Sequence, residues 1–190
     1  MGSRTDTRKR MVASAALLLR EHGVAGTSVA KVLTHSNGPR GSVGFHFPGG
    51  RQELIADALA WAGGAVTKIL RASVGDDADP AAVFAGVCNH YREQLIATDF
   101  AAGCPIGAAM QEVHHDDALG PVVSGIVGDW HAALVDLLSD AGHSEHEASA
   151  LGTLAISSLE GAIMTARVTR SAAPLDVVVD RIAPLLARSS

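Results

Sequence analysis

Three turn signals divide the first fifty residues into short helical pieces, and this spacing constrains the fold more than any other feature of the chain. Residues 5–22 carry Met11, Ala15, Leu18 and His22 at i, i+4, i+7 and i+11, with Val12 and Leu19 widening the stripe. Gly23 is placed to end that helix. Thr27 is placed to cap a second helix whose buried side is Val29, Val32 and Leu33. Ser36-Asn37-Gly38-Pro39 is a turn. A very short third helix then runs from about Arg40 to His46 and stops at Phe47-Pro48-Gly49-Gly50. Two short helices joined by a tight turn and braced by a longer one form a helix-turn-helix pattern.

The rest of the chain shows helical spacing without period-2 alternation, so the predicted fold class is all-α. Helices are expected at about 51–73, 80–98, 104–115, 118–141, 145–170 and 174–188. Asp79-Pro80 offers a cap followed by proline at the first helical position. Ser144 and Glu147 form a capping box. Gly75–Asp79 reads as a linker and Gly103–Gly107 as a break between helices. The expected organisation is a three-helix head, 1–50, and a helical body, 51–190.

Charge separates the same two regions. Residues 1–75 hold ten Lys/Arg against four Asp/Glu, a net +6, whereas 76–190 hold five against sixteen, a net −11. A basic head on an acidic body points to a polyanion at the head. Cys88 and Cys104 both lie among apolar residues, which favours a reducing cytoplasm over a disulfide scaffold. Arg8-Lys9-Arg10 followed by 11–19 mimics a signal peptide, but the apolar run stops at Arg20-Glu21-His22 with no small-residue cleavage site. No uncharged apolar stretch approaches the roughly 20 residues needed to span a bilayer. The expectation is a cytoplasmic protein without a membrane partner.

Thr7-Arg8, 15–19, His22-Gly23, 27–29 and, most densely, Arg40-Gly41-Ser42 and His46-Phe47-Pro48 resemble the DNA-binding domain of the TetR/AcrR transcriptional regulators. The Pro48-Gly49-Gly50-Arg51 hinge and the 103–107 segment resemble the LmrA/YxaF-like branch. The resemblance implies an N-terminal helix-turn-helix domain and a C-terminal helical domain that binds an effector and forms a homodimer. It implies a double-stranded DNA operator contacted through Thr27, Ser28, Arg40, Gly41, Ser42, Gly44, Phe45, His46 and Arg51. Physical chemistry supports those positions. Arginines and hydroxyls suit phosphate, and the N-terminal residues of a recognition helix reach base edges. Phe47 is expected to plug the head's core. The family usually carries an aromatic residue, most often Tyr, where this chain has Gly44, leaving Phe45 to touch thymine methyls.

In the body, residues 145–170 are apolar on nearly every side, so that helix is expected to be buried on more than one face. Leu151, Ala155, Leu159 and Ala162, with Val178 and Ile182 of the last helix, are the expected dimer contacts. Small residues at 152, 155 and 162 would admit a partner helix. The candidate pocket residues are Trp61, Phe84, Cys88, Tyr91, Met110, His114, Trp130 and Met164; Glu160 and Arg167 fit polar anchors there, a helix-surface pair or a cross-subunit pair equally well.

Other chemistries fit less well. His114-His115-Asp116-Asp117 and His143-x-x-His146-Glu147 lie at expected helix ends and lack zinc spacing. No serine sits in a nucleophile elbow and no glycine-rich loop has phosphate-binding spacing. Neither an enzyme, a metal nor a cofactor is expected. The reading is a ligand-responsive repressor released from a palindromic operator by a small apolar effector. The competing reading is a helical small-molecule-binding protein with a decayed DNA head.

Overall fold

A computed structural model describes residues 4–74 and 78–188, with the side chains of residues 4 and 5 left out. The described residues form nine α-helices and no strand: α1 (Arg4–Gly26), α2 (Val29–Ser36), α3 (Ser42–His46), α4 (Gly50–Ala72), α5 (Pro80–Ala97), α6 (Pro105–Glu112), α7 (Leu119–Asp140), α8 (Glu145–Thr169) and α9 (Ala173–Leu186). Most of the expected linker at Gly75–Asp79 lies outside the described residues.

The chain divides into two compact units that interleave along the sequence. One comprises 1–64 and 105–126; the other comprises 65–104 and 127–190. The first unit contains the whole 1–50 head and adds the start of α4 together with α6.

In the first unit, Met11, Ala15, Leu18 and Leu19 of α1 are buried as their spacing requires, while His22 faces solvent. The α1 backbone breaks at Gly23, which adopts φ +68°, and one more turn follows. Ser28, rather than Thr27, caps α2: its hydroxyl accepts the Lys31 amide at 3.3 Å. Thr27 is fully buried and donates its hydroxyl to the Gly23 carbonyl at 2.7 Å. Asn37 closes α2 in the left-handed region, where asparagine is tolerated better than most residues. Phe47 is fully buried and Val43 nearly so, so the core grips α3 from one side and from its end. Burying one phenylalanine stabilises the head by about 1.5–3 kcal/mol.

In the second unit, α5 buries Phe84, Cys88, Tyr91 and Leu95, a stripe at i, i+4, i+7 and i+11, and packs on α8 and α9. Asp79 caps α5 through the Ala81 amide, and Ser144 caps α8 through the Glu147 amide. These are the local signals legible in the sequence. Arg92 and Asp176 pair at 2.9 Å between α5 and α9. Both are well exposed, so the pair adds at most about 1 kcal/mol.

Leu119–Asp140 forms a single 22-residue helix with an 18-residue window of mean hydropathy 1.3, long and apolar enough to cross a membrane by length and composition alone, although Asp129 and Asp136 interrupt its apolar run. Its Leu119, Val123, Ile126, Trp130, Ala133, Leu134 and Leu137 are all buried within the fold at helical spacing, as in a core helix.

Candidate DNA interface and effector cavity

The short α3 owes its start to Gly41, which takes φ +82° at the cap position. A side chain there would be strained, because the left-handed region favours glycine. Ser42 donates its hydroxyl to the Pro39 carbonyl at 2.6 Å, tightening the same corner. With Val43 and Phe47 turned inward, the outward positions are Gly44 and Phe45. Phe45 is 59% exposed, which is unusual for a phenylalanine, and its ring meets His46 edge-on at 5.0 Å. Nothing lies within 4 Å of where a Cβ on Gly44 would sit. Arg40 and Gly41 are exposed and Ser42 is half-buried. Ser28 and Lys31 at the start of α2 are also exposed.

Two of the expected DNA contacts turn towards the chain itself. Thr27 is sealed inside the head and has no surface to offer a phosphate. Arg51 turns its guanidinium onto the chain: Nε donates to the Thr27 carbonyl at 3.0 Å and Nη2 to the Val24 carbonyl. Those carbonyls lie where the end of α1 meets the start of α2, so Arg51 braces the helix-turn-helix from behind. Arg8 is committed in a similar way. It pairs with Asp57, donates to the His46 carbonyl at 3.4 Å and stacks 4.9 Å above the Phe47 ring. Charge alone does not distinguish these braces from Arg40.

A contact without a sequence signal sits on the same unit. Glu112, at the end of α6, accepts the backbone amides of Val24 at 3.1 Å and Ala25 at 2.6 Å. These amides open the short turn beyond the Gly23 break, where a carboxylate is favoured. Asp116 plays a comparable part at the start of α7. It accepts the Leu119 amide at 2.8 Å, the Ala118 amide at 2.9 Å and the Gln52 side chain at 3.2 Å. The Leu119 and Ala118 amides hold its carboxyl below the usual range. That assigns Asp116 of the His114–Asp117 cluster to helix capping.

The second unit contains a partly open apolar pocket of about 470 Å³, counted together with the open solvent at its mouth. Phe84, Val87 and Tyr91 of α5, Trp130 and Leu134 of α7, Val66 and Leu70 of α4, and Ala155, Ile156, Leu159 and Glu160 of α8 line it. Of the expected pocket residues, it brings together Phe84, Tyr91 and Trp130. Cys88 is buried on the same helix but does not line the cavity, and burial raises its thiol to about 12, so it stays protonated. Trp61, Met110 and His114 belong to the other unit, and Met164 is 43% exposed on α8.

Glu160 is the one charged residue in this lining. It is 6% exposed, and its Oε2 has no hydrogen-bond partner. Burial pushes its carboxyl up to about 7, although a hydrogen bond with Cys104 works in the opposite direction. Tyr91 donates its hydroxyl to the Cys104 sulfur at 3.4 Å, so a short polar chain leads to the carboxyl. Arg167, the other expected anchor, reaches the Ala101 carbonyl at 2.7 Å instead.

Two expected dimer residues are buried within this chain. Ala155 is 1% exposed and lines the cavity, and Ala162 is 6% exposed, so both serve this chain's own core. Gly152 is likewise buried, against the His131 ring. Leu151, Leu159, Val178 and Ile182 are partly exposed. On α8 and α9 the exposed large apolar side chains are Leu154, Met164, Val168, Val177 and Leu185; Leu17, Phe45, Trp61, Ile69 and Ile96 are exposed on other helices.

A helix-turn-helix head with an exposed face on α3, in one chain with a helical unit that holds an apolar pocket, is the arrangement of a DNA-binding transcriptional regulator. The comparisons agree. The profile described as the C-terminal domain of LmrA/YxaF-like transcriptional regulators matches residues 80–181. The HTH-type transcriptional regulator Rv0196 of Mycobacterium tuberculosis is 38% identical over 185 residues, covering 94% of this chain and 93% of that protein. The HTH-type regulator YxaF of Bacillus subtilis is 29% identical, covering 99% and 98%. A TetR transcriptional regulator from Legionella pneumophila shares the fold with a TM-score of 0.83 at 17% identity, covering 97% of each chain. The chain belongs to the TetR family of transcriptional regulators, in its LmrA/YxaF-like group.

Proposed function

We propose that this protein is a cytoplasmic, homodimeric repressor that leaves a palindromic operator when a small apolar molecule fills the cavity of its second unit. The observation that carries the ligand response is that cavity, walled by Phe84, Tyr91 and Trp130 and holding one buried carboxylate. An apolar lining with few polar groups is the usual composition of a small-molecule site. On the DNA side, Ser28, Arg40, Ser42 and the exposed Phe45 support operator contact. Arg40 and the hydroxyls would hold phosphates, and Phe45 would meet thymine methyls. Gly44 supplies no contact of its own, but it leaves room for DNA to approach the helix backbone closely.

For the homodimer, the exposed Leu154, Met164 and Val168 on α8 and Val177 and Leu185 on α9 support a face covered by a second copy. A two-fold dimer presents two recognition helices to two half-sites, hence a palindrome. The effector would act by favouring a separation of the heads that the operator does not accept.

The test is a selection of random duplexes on the purified protein, followed by a salt titration of the recovered sequence. A palindrome bound with a steep salt dependence supports the reading. Recovery of no preferred sequence, with ligand binding intact, favours the competing reading of a small-molecule binder with a decayed head.

A further inference from the structure

Resting on the effector-cavity reading above, we propose that the cavity selects a lipophilic cation: an apolar or aromatic body carrying one protonated amine that pairs with Glu160. Burying a carboxylate in an apolar wall is costly unless it is paired. This one is buried, and its Oε2 lacks any hydrogen-bond partner. The neighbouring donor is weak. Cys104 offers a thiol, and Tyr91 directs its hydroxyl to the Cys104 sulfur rather than to the carboxyl. No lysine or arginine lines the cavity to neutralise Glu160. The site therefore has an acceptor and a negative charge without a counter-ion.

An ammonium supplies both missing elements at once, a donor for Oε2 and the opposite charge. The rest of the lining suits the same guest. Phe84, Tyr91 and Trp130 present aromatic rings, which attract a cation and also accept an apolar body. A neutral alcohol would fill the donor position but leave the charge unpaired. A carboxylic acid would bring a second negative charge beside Glu160.

The experiment uses the full chain and three probes with one body: phenylhexylamine, phenylhexanol and phenylhexanoate. Affinities are measured by calorimetry at about pH 8, where a carboxyl raised to about 7 is mostly ionised. The emission of Trp130 is followed in a Trp61→Phe background to place the probe in the cavity. The amine is expected to bind about tenfold or more tighter than the alcohol, and the carboxylate most weakly. Glu160→Gln is expected to collapse the ratio of amine to alcohol affinity towards one. Glu160→Asp, which keeps the charge, is expected to restore a preference for the amine. Circular dichroism and thermal unfolding verify that each variant is folded.

Equal affinity for amine and alcohol in the unsubstituted protein overturns the proposal while leaving the cavity as an effector site. So does an amine preference that survives Glu160→Gln, because the acidic surface would then be its source. If none of the three probes binds or changes Trp130 emission, the effector cavity itself is overturned and the cation proposal with it.

Discussion

Glu112 occupies the space that any side chain on residue 23 would need. A Cβ built on Gly23 lies 1.9 Å from Glu112 Oε1, while the same carboxylate accepts the amides of Val24 and Ala25. The glycine is thus required twice, by its φ of +68° and by the carboxylate that faces it. Gly23→Ala is expected to destabilise the protein by about 1–3 kcal/mol, from backbone strain and the displaced carboxylate together. Glu112→Ala, which leaves two amide donors behind, is expected to cost about 1–3 kcal/mol. Urea unfolding checks both. Because the two substitutions act on one contact, the double variant should cost less than their sum, and strict additivity would show that the contact contributes nothing.

Phe45 and Phe47 lie two residues apart and should behave in opposite ways. Phe47 is fully buried, so Phe47→Ala is expected to lose about 3–5 kcal/mol of stability. Phe45 is 59% exposed, so Phe45→Ala should leave the unfolding midpoint nearly unchanged and weaken operator binding instead. Denaturation and duplex-binding curves on the same pair of variants separate the two roles. Equal loss of stability in both would mean that Phe45 is part of the core.

Arg40 and Arg51 provide a second contrast. Arg40 is exposed at the foot of α3, whereas Arg51 holds the Thr27 and Val24 carbonyls. Arg40→Ala is expected to flatten the slope of log affinity on log salt by nearly two units, about one for each half-site of the dimer. Arg51→Ala is expected to lower head stability by about 1–3 kcal/mol, with the salt slope of the folded protein unchanged. A slope flattened equally by both would return Arg51 to the phosphate contacts.

Glu160 gives the free protein a pH signature. Its carboxyl titrates at about 7 in the fold against an ordinary value of 4.5, so folding takes up a proton between those values. The resulting stability is fully present below about pH 4.5 and is lost as pH rises through about 7, a change on the order of 3 kcal/mol. Glu160→Gln should remove that slope and unfold later than the unsubstituted protein at about pH 8. Chemical denaturation across the range checks it; an unchanged slope in the variant would place the titration elsewhere.

The elements were legible where local chemistry decides them. Asp79-Pro80 and Ser144 mark helix starts with their own side chains, and the Phe47-Pro48-Gly49-Gly50 hinge ends α3 where its composition requires. The sites were legible only in part, because residue type does not state which face of a helix is used. Phe84, Tyr91 and Trp130 line the cavity, yet Trp61 and Met164, chosen on the same grounds, are largely exposed. Ala155 and Ala162 allow close approach, but the approach is by this chain's own helices. Glu160 stood out as an acid in an apolar helix, whereas nothing near Glu112 announces a partner 88 residues away. Arg51 shows the limit of a motif, which locates the residue but not the atoms its guanidinium will hold.

The central claim is that operator binding at the head responds to occupancy of the cavity. It is tested most directly by fluorescence anisotropy of a labelled operator, titrated with the full chain at fixed salt, with and without phenylhexylamine at a concentration that saturates the Trp130 signal. The account predicts that the saturated protein binds the operator about tenfold or more weakly, and that Glu160→Gln needs correspondingly more amine to reach the same effect. Identical operator affinity with the cavity empty and with it filled would contradict the account.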